Sequence, residues 1–222
     1  MNKQTVYIIG SSGLSKVIID IFEKNGKCEI IGLLDDFRNI GEETLGYKVV
    51  GKVEDLADLL SDNANCKILL AIGDNWNRQN VMNRVLEIIP DVGFASAIHP
   101  SVQIGKNVEI GRGVVIMAGA IINSDTQIGD FTIINVKASV SHDCKMLRFS
   151  SLGPNVTTGG YVTIGEFSAI CIGATIKDRV KIGNHSIIGA GSLLLKDCED
   201  NVVMYGVPAQ KIRKHEIGEN YL

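Results

Sequence analysis

Residues 104–140 read IGKNVEIGRGVVIMAGAIINSDTQIGDFTIINVKASV, and an isoleucine or valine returns at every sixth position. The series begins Ile104, Ile110, Ile116, Ile122, Ile128, Ile134. It continues through Val140, Met146, Leu152, Thr158, Ile164, Ile170, Ile176, Ile182, Ile188 and Leu194. Sixteen positions keep one period, and fifteen of them are apolar. A repeat this short cannot hold a helix pair; it fits one flat strand and one corner. Four residues later runs a column of small or β-branched residues, from Val108, Val114 and Ala120 to Ser186, Ser192 and Cys198. One residue after the apolar position comes glycine at 105, 111, 129, 153, 159, 165, 183 and 189, and asparagine at 123 and 135. The reading is a prism. The large aliphatic fills its interior, the small residue fits where the corner narrows, and the glycine or asparagine takes the turn with positive φ. Three sides make a coil, so the hexads predict about five coils stacked by parallel strand pairing. The register never slips, so no loop interrupts residues 104–195. A β-sandwich would instead alternate with period two between variable turns.

The segment before the repeat has a different pattern. Thr5–Ile9 is an apolar β-run, Gly10-Ser11-Ser12-Gly13 follows, and a helical pattern runs from Leu14 to about Asn25. Glu29–Leu34 is a second strand ending in Asp35-Asp36, and Tyr47–Val50 a short third. Val53–Leu60 reads as helix, Lys67–Ile72 as strand, and Trp76–Ile89 as a helix closed by Pro90. Alternating strands and helices imply a small parallel sheet. The chain therefore divides at the sequence level into an α/β, Rossmann-like unit over 1–97, a parallel β-helix over 98–198, and a C-terminal strand and tail over 199–222.

Composition sets the bounds. Of 222 residues 45% are hydrophobic and 21% charged, enough for a packed core and unlike a disordered chain. A net charge of −3 argues against a general nucleic-acid binder, which needs a basic face. No run of 18 apolar residues occurs, so no membrane span is expected, and the opening MNKQTVYIIG is too short an apolar run for a signal peptide. Five scattered cysteines, with no close pair, read as reduced thiols of a cytoplasmic protein.

Three clusters are candidates for chemistry. Gly10-Ser11-Ser12-Gly13 sits between strand and helix, where backbone N–H groups can hold a phosphate, with Asp35 and Asp36 ending the next strand. Gly73 follows the strand over Lys67–Ile72, at the same carboxyl edge of the sheet. The fingerprint of a dinucleotide site is incomplete, so a nucleotide moiety fits better than NAD; a tight turn without ligand would use the same residues. The second cluster is Ser141-His142-Asp143-Cys144. His142 lies two residues past the apolar position, points outward at a corner, and is a candidate general base, although a solvated surface histidine would look alike. The third is Gly160, one coil above His142, whose missing side chain leaves room for a ligand and exposes a backbone N–H as an oxyanion donor. The histidines do not converge through the coil spacing and no cysteine or histidine cluster has zinc spacing, so no metal is expected.

Taken together, IIGSSGL, GLLDDF, AIGDN, NVKASVSHDC and TGGYVTIG, in this order, resemble the bacterial left-handed β-helix (hexapeptide-repeat) sugar acetyltransferases of the sialic acid O-acetyltransferase and nucleotide-4-amino-sugar N-acetyltransferase group. The resemblance covers residue 5 to about 213. It implies a left-handed coil and a homotrimer with active sites between neighbouring subunits. It also implies acetyl-CoA, or another acyl-CoA, as co-substrate along the coils, and a nucleotide sugar on the N-terminal domain. It makes His142 the base, Asp143 its acidic neighbour and Gly160 the donor to the thioester oxygen. Gly10, Ser11, Ser12, Gly13, Asp35, Asp36, Gly73 and Asn135 become substrate-binding, and Gly160, Gly173, Ala174, Gly189 and Ala190 acyl-CoA-binding.

The expected reaction is direct N-acylation, most simply N-acetylation, of a nucleotide-linked 4-amino-4,6-dideoxysugar, with a place in surface-polysaccharide or glycan precursor synthesis. O-acetylation of a sugar such as sialic acid, and a non-catalytic trimeric scaffold, are the alternatives. Asp143 is assigned to orienting or polarising the imidazole, against the tendency of adjacent strand residues to point apart. Cys144 falls in the inward column and is expected in the core.

Overall fold

The computed structural model describes residues 3–61, 63 and 65–219. Two compact units divide the chain: residues 1–73 with 77–100, and residues 74–76 with 101–222.

In the first unit a five-stranded sheet has the order β3-β4-β2-β1-β5, with β1 Gln4–Ile9, β2 Cys28–Leu34, β3 Glu43–Thr44, β4 Tyr47–Gly51 and β5 Lys67–Leu70. All neighbours run parallel except β3, which pairs antiparallel with β4. Helix α1, Gly13–Asn25, follows β1 and buries Ile18, Ile19, Ile21 and Phe22; Gly26 ends it in the left-handed conformation at φ +64°. A single 3₁₀ turn, Val53–Asp55, leads into α2, Leu56–Ser61, and α3 spans Asn75–Ile88. The buried apolar runs of β1 and β5 match the pattern of a parallel sheet covered on both faces.

The second unit is a left-handed parallel β-helix. Its strands are pairs of residues, and each pairs in parallel with the strand 18 residues on, as Ile121 with Ser139 and Ile133 with Ser151. The first face runs from Gln103–Ile104 to Leu193–Leu194, the second from Glu109–Ile110 to Lys181–Ile182, and the third from Val115–Ile116 to Ile187–Ile188. The sixth-residue column fills the interior: Ile116, Ile134 and Ile188 are fully buried, and burial of each such side chain is worth about 2 kcal/mol. Ile104 and Ile110, on the strands that end their sheets, are the exceptions, Ile104 at 47% exposed and Ile110 half-buried. From Val114 on the small column is buried as well, and hydroxyls in it find backbone acceptors: Thr132 Oγ1 donates to Gly129 O, and Ser150 Oγ to Leu147 O.

One expectation of the prism is corrected. The glycines directly after the apolar column do not carry positive φ. Left-handed backbone falls two residues further on, at fifteen successive corners from Asn107 to Gly191, mostly non-glycine residues among them Phe131, Asp143 and Tyr161. The reason for glycine at the earlier position is proximity. A Cβ on Gly165 would stand 2.4 Å from Gly183 O of the next coil, and one on Gly129 2.7 Å from Arg148 N.

At the corner between the second and third faces, the left-handed column forms a ring ladder. Phe131, Phe149, Phe167 and His185 stack with centroid spacings of 4.9, 5.3 and 4.6 Å. Trp76 packs edge-on against Phe167 and His185. Asn75 Nδ2 donates to Ser151 Oγ and to the carbonyls of Phe167 and Ser168. Strand Val202–Gly206 extends the third face, and Ala209–Lys214 returns antiparallel beside it. Two basic residues of this last strand are paired: Lys211 with Glu199, and Arg213 with Glu219.

Candidate functional site

The corner between the first and second faces carries His142, Asp143 and, one coil on, Gly160 and Tyr161. The coil-to-coil bond here runs from Tyr161 N to His142 O at 3.0 Å. The imidazole is just over half exposed, as an outward corner position requires. A Cβ on Gly160 would lie 2.7 Å from His142 Cε1 and 2.8 Å from Nε2, so the imidazole occupies the space that a side chain would need. The coil bonds of this stretch are donated by Gly159, to Ile176 O, and by Tyr161, not by Gly160. Asp143 adopts φ +57°, and its Oδ2 stands 2.8 Å from His142 Nδ1. With Nδ1 facing a carboxylate, the neutral ring carries its proton there and leaves the Nε2 lone pair toward Gly160 and solvent. Tyr161 packs edge-to-face on the imidazole at 5.3 Å, and the Arg179 guanidinium lies 4.5 Å over the Tyr161 ring. Neither residue was singled out from the sequence, although adding 18 to Asp143 gives Tyr161 and adding 18 again gives Arg179.

Cys144 is buried, with Sγ directed to Gly159 O at 3.3 Å, and burial pushes its thiol above the ordinary range. It is a core residue, as its column implies.

The residues assigned to acyl-CoA other than Gly160 lie on another edge of the prism, between the third and first faces. Gly173 is exposed at φ +68° with open space where a Cβ would be, and Ala190 is exposed. The Ala174 side chain is fully buried inside the prism, so only its backbone could meet a ligand. Gly189 lies under the Tyr205 ring, which a Cβ there would penetrate. Asn135 sits on this edge too, its Oδ1 accepting from Val136 N at 2.7 Å. Within one chain these residues do not meet His142.

In the first unit, Gly10 at φ +102° turns the chain out of β1, and a Cβ on it would stand 2.9 Å from Ala71 O; only glycine fits. Ser12 is the N-cap of α1 in extended conformation, and its side chain makes no capping bond. Ser11 is buried and commits to Asp35: Asp35 Oδ2 accepts from Ser11 N at 2.9 Å and Ser11 Oγ at 2.5 Å. The other oxygen accepts from the N–H groups of Phe37 and Arg38. Burial alone would raise the Asp35 pKa; the hydrogen bonds from Ser11, Phe37 and Arg38 more than offset it and hold the carboxyl below its ordinary value. Asp36 accepts from Val53 N and pairs with Arg84 at 2.8 Å. Asp35 thus braces the Gly10–Gly13 loop and the turn after β2, while Asp36 ties that turn to Val53 and Arg84. Gly73 O accepts from Arg78 Nη1 at 2.9 Å, beside Ile72 O at 2.8 Å; Arg78 is a buried cation that no sequence motif announces. A Cβ on Gly13 would meet open space at the start of α1.

Among the described residues, no group of three or more His, Cys, Asp or Glu could hold a metal ion, and no helix is long and apolar enough to cross a membrane.

Comparison with known proteins gives the following. Residues 5–85 match the PglD N-terminal domain, and residues 161–196 match the bacterial transferase hexapeptide (six repeats). The chain is 34% identical to a histidine mutant of GDP-perosamine N-acetyltransferase from Caulobacter crescentus, solved with CoA and GDP-perosamine. That likeness covers 95% of this chain and 97% of the other, with a TM-score of 0.88. It is 29% identical to the acetyltransferase domain of PglB from Neisseria gonorrhoeae FA1090 in complex with acetyl coenzyme A, over 95% and 100% of the two chains, with a TM-score of 0.87. It is 32% identical over 122 residues to GDP-perosamine N-acetyltransferase of Escherichia coli O157:H7, 55% of this chain and 54% of the relative. The chain spans between 24% and 54% of the length of the first curated relatives that it matches.

Proposed function

Because the chain belongs to the PglD-type hexapeptide-repeat acetyltransferases, we propose that it transfers the acetyl group of acetyl-CoA to the amine of a nucleotide-linked 4-amino-4,6-dideoxysugar. The observation that carries this reading is the corner itself: an exposed imidazole anchored by Asp143 through Nδ1, with its Cε1–Nε2 edge against Gly160. The likeness to an N-acetyltransferase solved with CoA and GDP-perosamine, over nearly the full length of both chains, supports the substrate class.

The mechanism is direct transfer. His142 Nε2 takes a proton from the sugar amine as its nitrogen attacks the thioester carbon. The C–N bond forms, the C–S bond breaks, and the leaving thiolate receives a proton from the imidazolium. Asp143 accepts the Nδ1–H and stabilises the charge that develops on the ring. The Gly160 N–H, which the coil ladder leaves over, donates to the oxyanion. No enzyme thioester forms, since Cys144 is buried.

The nucleotide binds the first unit. The Gly10–Gly13 loop and the start of α1 offer backbone N–H groups to the diphosphate, with Ser11, Ser12, Asp35, Asp36 and Gly73 shaping that edge. Acyl-CoA runs along the edge of Gly173, the Ala174 backbone, Gly189 and Ala190, with Asn135 beside it. In one chain that edge is not the edge of His142, so a homotrimer is the arrangement in which a neighbour supplies it. Exposed Ile172 (54%), with Ala118, Val136 and Pro154 at equivalent corner positions, supports an apolar contact there. The five free cysteines suit a reducing cytoplasm, and the product suits surface-polysaccharide or glycan precursor synthesis.

The test is free-thiol release from acetyl-CoA with UDP-, dTDP- and GDP-linked 4-amino-4,6-dideoxysugars, beside free sialic acid. Release with a nucleotide amino sugar is expected. Release with the free sugar alone would move the activity to O-acetylation, and silence throughout would overturn the reading.

A further inference from the structure

The geometry points to Tyr161 as a positioning residue that holds the His142 imidazole in its working orientation, with Arg179 holding Tyr161 in turn. This inference rests on the acetyltransferase reading for its effect on rate, and on the ring packing alone for its effect on the imidazole.

Tyr161 occupies a costly conformation. Its φ is +60°, a region that bulky side chains avoid. At the next corner, rings in the same conformation stack on one another as Phe131, Phe149 and Phe167. Tyr161 has no such excuse. Its column reads Asn107, Asp125, Asp143, Tyr161, Arg179, so it is the only ring there, with a carboxylate one coil below and a guanidinium one coil above. What the ring does touch is His142, edge-to-face at 5.3 Å with planes 89° apart.

The imidazole needs this contact. It is half exposed, and two of its neighbours constrain it only in part. Asp143 holds Nδ1 at 2.8 Å but leaves rotation about that hydrogen bond. Gly160 walls one side and has no side chain. Tyr161 packs edge-to-face on a further flank of the imidazole. Its own ring is 46% exposed, and the Arg179 guanidinium lies 4.5 Å over it while reaching Asp178 at 3.9 Å. The backbone reinforces the stack: Tyr161 N donates to His142 O, and Arg179 N to Gly160 O. Asp143 thus holds the imidazole within its own coil, Tyr161 packs on it from the next coil, and Arg179 lies over Tyr161 from the coil beyond.

The test uses the 222-residue chain. Tyr161→Ala is expected to lower kcat about three- to tenfold while both KM values stay within twofold. Tyr161→Phe, which keeps the ring, retains wild-type kcat within twofold. Arg179→Ala lowers kcat by a smaller factor. In a His142→Ala background, Tyr161→Ala causes no further loss of the residual rate, because it acts through the imidazole. In parallel, the His142 Cε1–H signal, assigned with the His142→Ala protein in a histidine-labelled sample, is expected to shift in Tyr161→Ala and stay in place in Tyr161→Phe. An equal loss in the His142→Ala background, a raised KM for either substrate, or an unmoved His142 signal overturns the assignment. The spectrum does not need turnover. A wild-type protein silent toward every amino sugar therefore counts against the reaction, while the signal still decides the role of Tyr161.

Discussion

His142 Nδ1 and Asp143 Oδ2 stand 2.8 Å apart although the two residues are consecutive. Along a strand their side chains would point to opposite faces. The left-handed backbone at Asp143, φ +57°, folds its carboxylate back beside the preceding ring. Every corner of this β-helix carries such a residue, so the fold provides the geometry and the sequence has only to place a histidine and an aspartate there.

The pair makes a graded prediction. His142→Ala is expected to lower kcat by about 10²–10⁴-fold, the range of a lost general base. Asp143→Asn should cost about 10–100-fold, the worth of one charge-assisted hydrogen bond. Steady-state kinetics gives both factors, and size-exclusion chromatography checks that assembly is unchanged. A His142→Ala protein with wild-type kcat would remove the histidine from the mechanism.

Cys144 neighbours the histidine in sequence but not in chemistry. Its thiol is buried and shifted upward by burial. Cys144→Ala should keep kcat within about threefold and cost about 1–2 kcal/mol of stability through the small cavity left. Thiol labelling of the native protein with iodoacetamide should leave Cys144 unmodified while turnover proceeds. Inactivation in step with Cys144 labelling would speak for a covalent route.

Alkaline stability should report on Cys198. Burial raises its pKa to about 11, from an ordinary value of 9.0. The unfolded chain therefore loses this proton first. The stabilisation is fully present below pH 9 and is lost as pH rises toward 11, by about 3 kcal/mol in all. Urea titrations between pH 8 and 11 should show a shallower decline for Cys198→Ala than for wild type. Cys66, Cys144 and Cys171 are raised by burial as well and keep some slope in the variant. Identical slopes would mean that the thiolate of Cys198 is tolerated in the fold.

The ring ladder should matter for stability more than for rate. Phe149 is buried between Phe131 and Phe167 at 4.9 and 5.3 Å. Phe149→Ala should cost about 3–5 kcal/mol, read from urea unfolding, while KM for both substrates stays unchanged below the transition. A loss under 1 kcal/mol would mean that the corner collapses around the gap.

Period six was enough to read the coils, because each coil repeats the same packing problem and so demands the same residue type at the same step. The same count put His142 outward and Gly160 above it, since stacked coils are locked 18 residues apart. It misassigned the glycines, because a positive φ and a close backbone approach both favour glycine and a sequence does not separate them. It also left out Tyr161 and Arg179, which only the third column of the same repeat would have brought forward.

The α/β unit was less legible. Its strands and helices follow from local pattern, but Asp35 and Asp36 read equally well as ligands for a ribose or as braces. The structure commits one to Ser11 and the turn at Phe37 and Arg38, the other to Arg84 and Val53. Of these, Ser11, Val53 and Arg84 lie far along the chain, and no spacing announces them.

The sequence by itself thus determined the repeat, the coil register and which residues stand over one another, because these depend on a period written into every hexad. Only the tertiary structure decided which way a corner carboxylate turns, which ring flanks the imidazole, and which polar groups are already engaged. Those outcomes depend on left-handed backbone angles, which most corner residues adopt without being glycine, and on partners from distant segments of the chain.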